Sequence, residues 1–597
     1  MTEHSIPVQT HTADLLVVGG GLAGVCTAVS AARHGCRVVL MQDRPVLGGN
    51  ASSEVRMWIC GAQGHDNRET GIVEEILLAN MQKNPDKSPY LFDTILLGLV
   101  KAEPNITLLL NCPCMDAETD GGKILSVTGY QMTTQTKHRV SAILYADCSG
   151  DSILAPLTGA EFRLGREAAA EFGERVSTEE ADKKTMGISC LLQARRTDRP
   201  STFTPPVWAT EITDEMVENR FFSLDDDYEN FWYLELGGEE DCIHDAEKIK
   251  DDLLALALGF WNYIKNSGKV KGAEYWQLDF LGFYPAKRES RRMLGDLLVT
   301  QKDILAGGHF PDTVGYGGWP LDDHFPGGFF HRGRPNTDFP TPAPYGIPYR
   351  ALYSRNIENL FFAGRNISMT HAAMSSSRVM ATCGILGEAV GVAAALAVKY
   401  ALTPRGVYEK KLDELQTALL DADCFLPGFT RPVSALAKSA ALTCDGMGSP
   451  SLDALRNGQD RDHRLFGDIP SGVTVKCGSA LTYTLSAPAE VREVRLTFDS
   501  DLNRVTLPGS RSEQEHNIRA LVRPDSPVMH LPDPLVRAYR LTATLPGGSE
   551  MLLADERENA LRTIHIPVGK TVTSLTLTPL STYGDNETVH LLSFDFR

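Results

Sequence analysis

The pattern of apolar and polar positions at the start of the chain predicts a strand, a helix and a second strand. Residues 13–19 are an apolar run typical of a buried parallel strand. Residues 22–34 carry a helical pattern, and Gly35 suits the left-handed conformation that ends a helix. Residues 37–42 form the next apolar run. The pattern therefore predicts a βαβ unit.

The same pattern divides the rest of the chain. Residues 13–160 form the first part of an α/β domain, and residues 161–345 mix helical and strand patterns, which predicts an inserted α+β domain. Residues 346–405 return to the first domain with an apolar strand and a long helix rich in small residues. Residues 406–470 predict a helical linker.

The last part of the chain, residues 471–597, changes to short strand-like runs separated by turns. Such runs lie at residues 490–497, 538–544, 561–566 and 571–578. This spacing predicts a carboxy-terminal β-sandwich.

Composition narrows the classes of partner. The formal net charge is −18, and an acidic chain repels phosphate backbones, so we expect no nucleic-acid partner. Residues 1–12 are polar and lack the apolar core of a signal peptide, which makes the cytoplasm the expected location. Residues 385–402 are apolar but are interrupted by Glu388 and Lys399, so we expect a buried helix and no membrane span.

A glycine motif lies between the first strand and the first helix. Gly19, Gly21 and Gly24 fit the pattern G-x-G-x-x-G, with Leu22 and Ala23 inside it. The first glycine makes a tight turn, the second admits a diphosphate, and the third lets helix and strand pack closely. Because the motif stands between a strand and a helix, it predicts a dinucleotide site.

The second strand ends where an acidic residue usually binds the ribose of a dinucleotide. Gln42 occupies that position and Asp43 follows it. An amide donates and accepts hydrogen bonds, and a carboxylate accepts them. Either residue therefore suits a ribose hydroxyl, and the sequence leaves both candidates open.

Several further motifs occur in a fixed order along the chain. They are LLVVGGGLAG (15–24), QDRPVLGGNASSEVR (42–56), ADCSGDS with GAEFRLGRE (146–167), RESRRMLGD (288–296), YGIPYRAL (345–352) and NLFFAGRNIS with SSSRVMATCGILGEAVGVAAALA (359–397). Over about residues 13–425 the chain resembles the FAD-dependent oxidoreductases, in the bacterial catabolic branch of proteins that share a nucleotide fold with glutathione reductase and fumarate reductase. The resemblance implies an α/β fold with a Rossmann-type FAD-binding domain, an inserted α+β substrate domain and FAD as cofactor.

The resemblance also implies cofactor contacts. It places Gly48 and Gly49 along the FAD diphosphate, and Gly364 and Arg365 near the ribityl chain and phosphates. Many FAD proteins carry Gly-Asp at this last position. A helix amino terminus around Thr382 and Gly384 faces the flavin ring. The remaining implied contacts are Arg44, Asn50, Ser53, Arg56, Gly150 and Asp151.

Three histidines are candidates for proton transfer, because histidine titrates near neutral pH and serves as acid or base. His371 precedes the helix that faces the flavin, His324 lies in a Gly- and Pro-rich aromatic loop, and His65 follows the Gly48–Gly49 turn. We expect catalysis to involve one or more of them.

Arg288, Arg291 and Arg292 surround Glu289. They form either an ion-pair network or a guanidinium site for a substrate carboxylate or hydroxyl, and Arg291 is our candidate for the second role. The cysteines and histidines show no complete zinc spacing, so we expect no metal.

Residues 491–503 and 540–568 resemble galactose-binding-like β-sandwiches, which often bind glycans or serve as structural domains. The sequence therefore predicts an FAD-dependent oxidoreductase that transfers a hydride between flavin N5 and a carbohydrate or polyol, with a role in carbohydrate metabolism. Two alternatives stay open, which are a fumarate-reductase-like enoate reductase and a glycan-binding protein with a structural flavin. The electron acceptor and the oligomeric state are also open.

Overall fold

The computed structural model describes residues 6–220, 224, 228–444, 451–463, 465, 467, 471–504 and 528–597. The described chain forms two compact units. The first contains the described residues of 1–62 and 86–415, and the second contains those of 63–85, 416–516 and 528–597.

The strands of the first unit occur throughout its length. In chain order they are β1 (Val8–Val18), β2 (Val38–Met41), β3 (Ile106–Leu109), β4 (Cys114–Asp120), β5 (Lys123–Gln131), β6 (Thr136–Asp147), β7 (Phe162–Arg163), β8 (Ile188–Ser189), β9 (Leu192–Arg196), β10 (Tyr228–Asn230), β11 (Glu235–Leu236), β12 (Trp276–Leu281), β13 (Ala286–Lys287), β14 (Arg292–Met293), β15 (Thr313–Gly317), β16 (Leu321–His324), β17 (Asn336–Phe339), β18 (Tyr345–Pro348) and β19 (Leu360–Phe362).

Helices occur in both units. They are α1 (Leu22–Arg33), α2 (Ile72–Lys83), α3 (Pro89–Lys101), α4 (Leu154–Thr158), α5 (Ala169–Phe172), α6 (Asp214–Val217), α7 (Ala246–Asn266), α8 (Gln301–Leu305), α9 (His371–Ser377), α10 (Met380–Tyr400), α11 (Pro404–Asp421) and α12 (Ala435–Ser439). Short 3₁₀ turns lie at Gly49–Ala51, Ala273–Tyr275, Gly328–Phe330, Tyr349–Ala351 and Asp453–Arg456.

The main sheet of the first unit confirms the predicted βαβ unit. β3, β2, β1 and β6 pair in this order as parallel strands, and β19 also pairs with β6 in parallel. β5 and β4 extend the sheet as antiparallel strands. The carboxy-terminal ends of β1, β6 and β19 therefore lie side by side, where ligands of open α/β sheets bind.

α10 packs against α1 through small residues, as its composition predicts. A Cβ at Gly387 would overlap the carbonyl oxygen of Ala23, and a Cβ at Gly391 would come 2.6 Å from the Cβ of Ser30. Among the described helices, α10 is the one long and apolar enough to cross a membrane, and 94% of its apolar window is buried inside the protein. The prediction of a buried helix is therefore confirmed.

The inserted part of the first unit combines α7 with small antiparallel sheets. Leu256, Phe260 and Trp261 on one face of α7 pack against Trp276 of β12 and Phe329. This separate core explains why the segment reads as a mixed α+β region.

The second unit is the predicted β-sandwich. Its strands are β20 (Ala441–Cys444), β21 (Val473–Lys476), β22 (Leu481–Phe498), β23 (Val536–Thr544), β24 (Glu550–Glu556), β25 (Thr563–Thr582) and β26 (Thr588–Phe596). The first part of β22 pairs with β20 and the end of β25, and its last part pairs with β26 and the start of β25. Register shifts separate the two parts, so β22 and β25 pass from one layer to the other.

Two boundaries differ from the prediction. β20 pairs with β22, so residues 416–463 belong to the second unit and are not a separate linker. Residues 63–85 also belong to this unit, since Leu78 of α2 enters its apolar core. Glu74 of α2 and Arg504 form a buried ion pair with distances of 2.7 and 2.8 Å. These residues lie far apart in the sequence, so no local pattern links them.

Candidate functional site

The turn between β1 and α1 accepts only glycine at two positions. Gly19 has a φ of +102°, and a Cβ there would overlap the carbonyl oxygen of Cys148. A Cβ at Gly24 would overlap the carbonyl oxygen of Gly19. α1 begins at Leu22 with no side-chain cap and no acidic residue in its first turn. Its amino terminus is therefore suited to bind a phosphate.

A second glycine turn faces the first. Gly48 and Gly49 have φ angles of +105° and +60°. The N–H of Gly48 donates to the carbonyl of Gly20 at 2.8 Å, and a Cβ at Gly49 would come 3.1 Å from the Cα of Gly21. The two turns form a cradle lined by backbone, which is what a dinucleotide diphosphate requires.

The side chain of Gln42 is hydrogen-bonded to the backbone of this cradle. Its Oε1 accepts from the N–H of Gly20 at 2.6 Å, and its Nε2 donates to the carbonyl of Val46 at 3.1 Å. Only an amide makes both bonds, because a carboxylate has no proton to donate. Of the two ribose candidates, Gln42 is therefore bound within the cradle, and Asp43, whose side chain is 48% exposed, is the more accessible one.

Other predicted cofactor residues lie around the cradle. Arg44 pairs with Glu54 at 3.2 Å, and its guanidinium lies 4.3 Å from the centre of the Tyr284 ring. The side chain of Asn50 donates to the carbonyl of Lys287 at 3.2 Å. Both contacts connect the cradle with its neighbours, and the contact to Lys287 reaches the inserted part of the unit.

Ser53 and Arg56 contact protein elements beside the cradle. The backbone N–H of Ser53 donates to Asp93 of α3 at 3.0 Å. The guanidinium of Arg56 lies 4.1 Å from the centre of the Phe280 ring and 3.6 Å from Asp279, both on β12. In the structure these two residues tie the loop to α3 and β12.

The ends of β6 and β19 supply the opposite edge of the cleft. Gly150 and Gly364 have φ angles of +77° and +119°. Arg365 pairs with Asp151 at 2.6 Å. The Nε atoms of Arg365 and Arg44 are buried, and neither has a hydrogen-bond partner in the described part of the chain. Unmatched donors beside a glycine cradle fit a bound diphosphate.

The helix predicted to face a flavin begins at Met380. Thr382 and Gly384 lie buried near its amino terminus. The N–H of Ala381 donates to the carbonyl of Cys60 at 3.0 Å. One N–H of this helix end is therefore bound to the protein.

A second group of charged side chains lies largely buried in the first unit. We call it the acid–histidine cluster, and its members are Glu167, Glu235, Arg288, Glu289, Arg292, Asp322, Asp323, His324, His371 and Arg378. Its five carboxylates meet three arginines and two histidines, so the charges balance when both imidazoles are protonated.

His371 lies between two carboxylates. Its Nδ1 lies 3.0 Å from both carboxylate oxygens of Glu289, and its Nε2 lies 2.9 Å from Oδ1 of Asp323. Burial alone would lower the pKa of His371, but the two carboxylates outweigh burial and raise this pKa to about 10. His371 is therefore an imidazolium at neutral pH, which is the acid form of this candidate for proton transfer.

His324 repeats this arrangement. Its Nδ1 lies 2.9 Å from Glu235 and its Nε2 lies 3.3 Å from Asp322. Burial opposes its protonation, but Glu235 and Asp322 raise its pKa. Burial also opposes the charge of Asp322, and His324 and Arg378 hold the pKa of this carboxyl well below its usual range. Both histidines therefore stabilise neighbouring carboxylates.

Each of the two histidines contacts one carboxylate that is partly exposed to solvent. These carboxylates are Asp322, next to His324, and Asp323, next to His371. Their side chains are 16% and 14% exposed, whereas that of His371 is 2% exposed. From this loop, the sequence predicted only His324 as a site residue. The available signal was two consecutive acids next to a histidine in an otherwise apolar, Gly- and Pro-rich segment.

The arginines of the cluster each pair with a carboxylate. The ion pairs join Arg288 to Glu235 at 3.0 Å, Arg292 to Glu167 at 3.0 Å and Arg378 to Asp322 at 2.9 Å. Each of these guanidinium groups therefore has a carboxylate of the protein as a partner.

Arg291, our sequence candidate, lies apart from these ion pairs. Its Nη1 donates to the carbonyl of Asp151 at 3.2 Å, and its guanidinium lies 5.6 Å from the centre of the Phe162 ring. Consecutive residues in extended chain point to opposite sides. Arg292 therefore enters the cluster and Arg291 does not.

His65 also lies outside the cluster. It belongs to the second unit, its side chain is 79% exposed, and its Nδ1 lies 2.5 Å from Asp66. An exposed imidazole with one adjacent carboxylate is an ordinary surface arrangement. The acid–histidine cluster is built without it.

One group in the second unit has the geometry of metal ligands. Ligand atoms of Asp421, Glu493 and His565 lie within 4.8 Å of one another. Arg597 pairs with Asp421 at 2.9 Å and with Glu493 at 2.6 Å. A guanidinium therefore already supplies the positive charge that these carboxylates need.

Comparisons with known proteins agree with this geometry. A family model described as FAD dependent oxidoreductase matches residues 14–419. Sarcosine oxidase subunit alpha from a Corynebacterium species is 22% identical over 315 residues, which cover 50% of this chain and 31% of that protein. The chain therefore spans less than a third of this curated relative.

Solved structures resemble each part of the chain separately. A geranylgeranyl bacteriochlorophyll reductase-like protein from Thermoplasma acidophilum is 14% identical with a TM-score of 0.29, over 70% of this chain and 89% of that one. A family 32 carbohydrate-binding module from Streptococcus pneumoniae is 11% identical with a TM-score of 0.19, over 28% of this chain and 99% of that one. Neither similarity assigns a substrate.

The family match covers more than half of the chain and includes the glycine cradle, the paired ends of β6 and β19, and α10. The residues of the cradle suit the diphosphate of the cofactor that the family name states. The chain therefore belongs to the FAD dependent oxidoreductase family and is an oxidoreductase that uses FAD.

Proposed function

We propose that this enzyme oxidises a carbohydrate or polyol at a carbon that bears a hydroxyl group. The observation that carries the proposal is the pair of carboxylates at Asp322 and Asp323. They are partly exposed, and a buried histidine contacts each of them, His324 at Asp322 and His371 at Asp323. An ionised carboxylate accepts hydrogen bonds only, so either carboxylate suits a hydroxyl group of a substrate.

FAD, when bound, accepts the hydride of such an oxidation at its N5. The chain must accept the hydroxyl proton, and His371 is already protonated at neutral pH. Asp323 is therefore our candidate for the group that binds this proton, and its partial exposure gives the proton a path to solvent. His371 and Glu289 are positioning residues, since they fix the orientation of the Asp323 carboxylate.

Aromatic rings beside the carboxylates agree with a sugar-like substrate. The Trp319 side chain lies 3.4 Å from Oδ2 of Asp322 through its Nε1. The rings of Trp232 and His324 meet edge to face, with centres 5.7 Å apart. Such rings offer apolar faces to the C–H groups of a polyol, while the carboxylates bind its hydroxyls.

The enoate reductase alternative requires guanidinium groups that clamp a substrate carboxylate. In the structure Arg288, Arg292 and Arg378 pair with carboxylates of the protein. This arrangement favours a hydroxylated substrate over an anionic one. Glycan binding by the sandwich and the cytoplasmic location stay predictions from the sequence.

The test is an anaerobic titration of the yellow, oxidised protein with sugars, polyols and enoates. We expect polyols to bleach the flavin band at about 450 nm. Asp323→Asn should keep the flavin and slow this bleaching by about 100-fold or more, which is the usual effect of losing an acid–base group. Asp116→Asn, at an exposed position on β4, is the matched control and should bleach at the native rate.

Two results would contradict the proposal. One is a reduced flavin that enoates reoxidise while polyols leave the oxidised form unchanged. The other is a native bleaching rate in Asp323→Asn.

A further inference from the structure

Asp151 holds two cations at once. Its Oδ1 lies 2.6 Å from Arg365, and its Oδ2 lies 2.5 Å from Nζ of Lys287. The hydroxyl of Ser290 also donates to Oδ1 at 2.8 Å. Asp151 and Arg365 follow the ends of β6 and β19, and Lys287 ends β13 of the inserted part. Three separate segments therefore bring these groups together.

The group lies beside the glycine cradle. The guanidinium of Arg365 occupies the place where a Cβ at Gly150 would stand, so Gly150 makes room for it. A Cβ at Gly364, the residue before Arg365, would come 3.6 Å from the Cβ of Ala23 in the first turn of α1. Gly364, the residue before Arg365, therefore lies next to the first turn of α1. Helix amino termini of this kind are suited to bind phosphate.

The charges of the group do not cancel. One carboxylate faces two cations, which leaves a net charge of +1. Burial would raise the pKa of Asp151, but Arg365 and Lys287 lower it, so the carboxylate stays ionised. The Nε of Arg365 is buried and has no hydrogen-bond partner within the described residues. An excess of positive charge and a donor without a partner among the described residues, both beside the glycine cradle, suit a dianionic ligand.

We propose that Lys287 and Arg365 are the counter-ions of the FAD diphosphate, and that Asp151 neutralises part of their charge before the cofactor binds. Arg365 and Lys287 thus place positive charge at the edge of the cleft where β6 and β19 end. The proposal rests on FAD as the cofactor and does not depend on the polyol substrate.

The experiment measures ligand binding to protein from which the flavin has been removed. ADP carries the diphosphate without the flavin, and riboflavin carries the flavin ring without phosphate. We expect Lys287→Gln and Arg365→Gln each to weaken ADP and FAD binding about tenfold or more, as the loss of a charged hydrogen bond predicts. Riboflavin binding should not change.

Two further measurements sharpen the test. Each variant should show a weaker dependence of ADP affinity on salt, because fewer charges are screened. Asp151→Asn should bind ADP at least as tightly as the native protein, since it frees two cations. Lys184→Gln is the matched control, because Lys184 pairs with Glu239 at the protein surface and should leave ADP binding unchanged.

The proposal is overturned if Lys287→Gln and Arg365→Gln bind ADP as the native protein does, or if Asp151→Asn loses ADP binding. If Arg365→Gln does not yield folded protein, Lys287→Gln and Asp151→Asn decide the question alone. Failure of the polyol titration leaves every ADP result intact, so the two proposals fail separately.

Discussion

The cofactor cleft and the acid–histidine cluster lie in the same unit but are built in opposite ways. The cleft consists mainly of backbone, with glycines where side chains would collide, and the buried Nε atoms of Arg44 and Arg365 have no hydrogen-bond partner among the described residues. The cluster consists of side chains, and its cations and carboxylates form ion pairs with one another.

This difference shows where each region is vulnerable. A cleft made of backbone is damaged by added atoms, because its shape leaves no room for them. A cluster of compensated charges is damaged by removal of a charge, because its partner then stays buried and unpaired. Three predictions separate these two kinds of damage.

The largest effect is expected from Gly24→Ala. Its added methyl group would overlap the carbonyl oxygen of Gly19, so the turn must open and its N–H groups lose their alignment. We expect protein that no longer retains FAD, measured by the flavin-to-protein absorbance ratio. Gly98→Ala is the control, because a Cβ at this exposed helical glycine has nothing within 4 Å.

Gly98→Ala should bind FAD normally and stabilise α3 by up to about 1 kcal/mol. A yellow Gly24→Ala protein with native FAD affinity would show that the cleft tolerates added volume. The cleft and the cluster would then not differ in their sensitivity to added atoms.

An intermediate effect is expected from Glu289→Gln. Removing this buried carboxylate leaves His371 and Arg292 with one partner fewer, and breaking a buried ion pair costs about 3–5 kcal/mol. The measurement is the thermal midpoint of the flavin-loaded protein, together with its flavin content. We expect a lower midpoint with native flavin content, since the cleft is untouched.

Glu247→Gln is the control for this variant, because Glu247 is 83% exposed and pairs with Lys250 at the surface. Exposed pairs contribute about 1 kcal/mol or less. A midpoint equal in both variants would mean that the cluster does not stabilise the fold.

The smallest effect is a dependence of stability on pH that His371 causes. The folded pKa of about 10 lies above the ordinary value of 6.5, so its contribution is complete below pH 6.5 and is lost as pH rises to 10. The difference in thermal midpoint between native protein and His371→Asn should therefore shrink over this range. The exposed His309→Asn control should show no such trend, and a constant difference for His371→Asn would contradict the assigned charge.

The sequence predicts the cleft well because its determinants are local. The glycine motif, the strand before it and the helix after it lie within residues 13–34, and each follows from spacing alone. Gln42 was ambiguous because its role depends on the carbonyl of Val46, which becomes a partner only when the loop has folded.

The cluster could not be predicted in the same way. His371 and Glu289 are 82 residues apart, and His324 and Glu235 are 89 residues apart. Without the tertiary structure these carboxylates look like ordinary surface acids, and the histidines look like free bases. The choice between Arg291 and Arg292 depends on a strand direction that a short apolar pattern does not give.

The second unit is built from segments that lie far apart in the sequence, and this has a consequence for synthesis of the protein. Glu74 and its partner Arg504 are 430 residues apart. At about 5–20 residues per second, a ribosome needs roughly 20–90 s to synthesise the chain between these two residues. During this time Leu78 of α2 has no sandwich core to enter. Residues 63–85 of the nascent chain therefore lack their packing partners until the strands β20 to β26 have been synthesised.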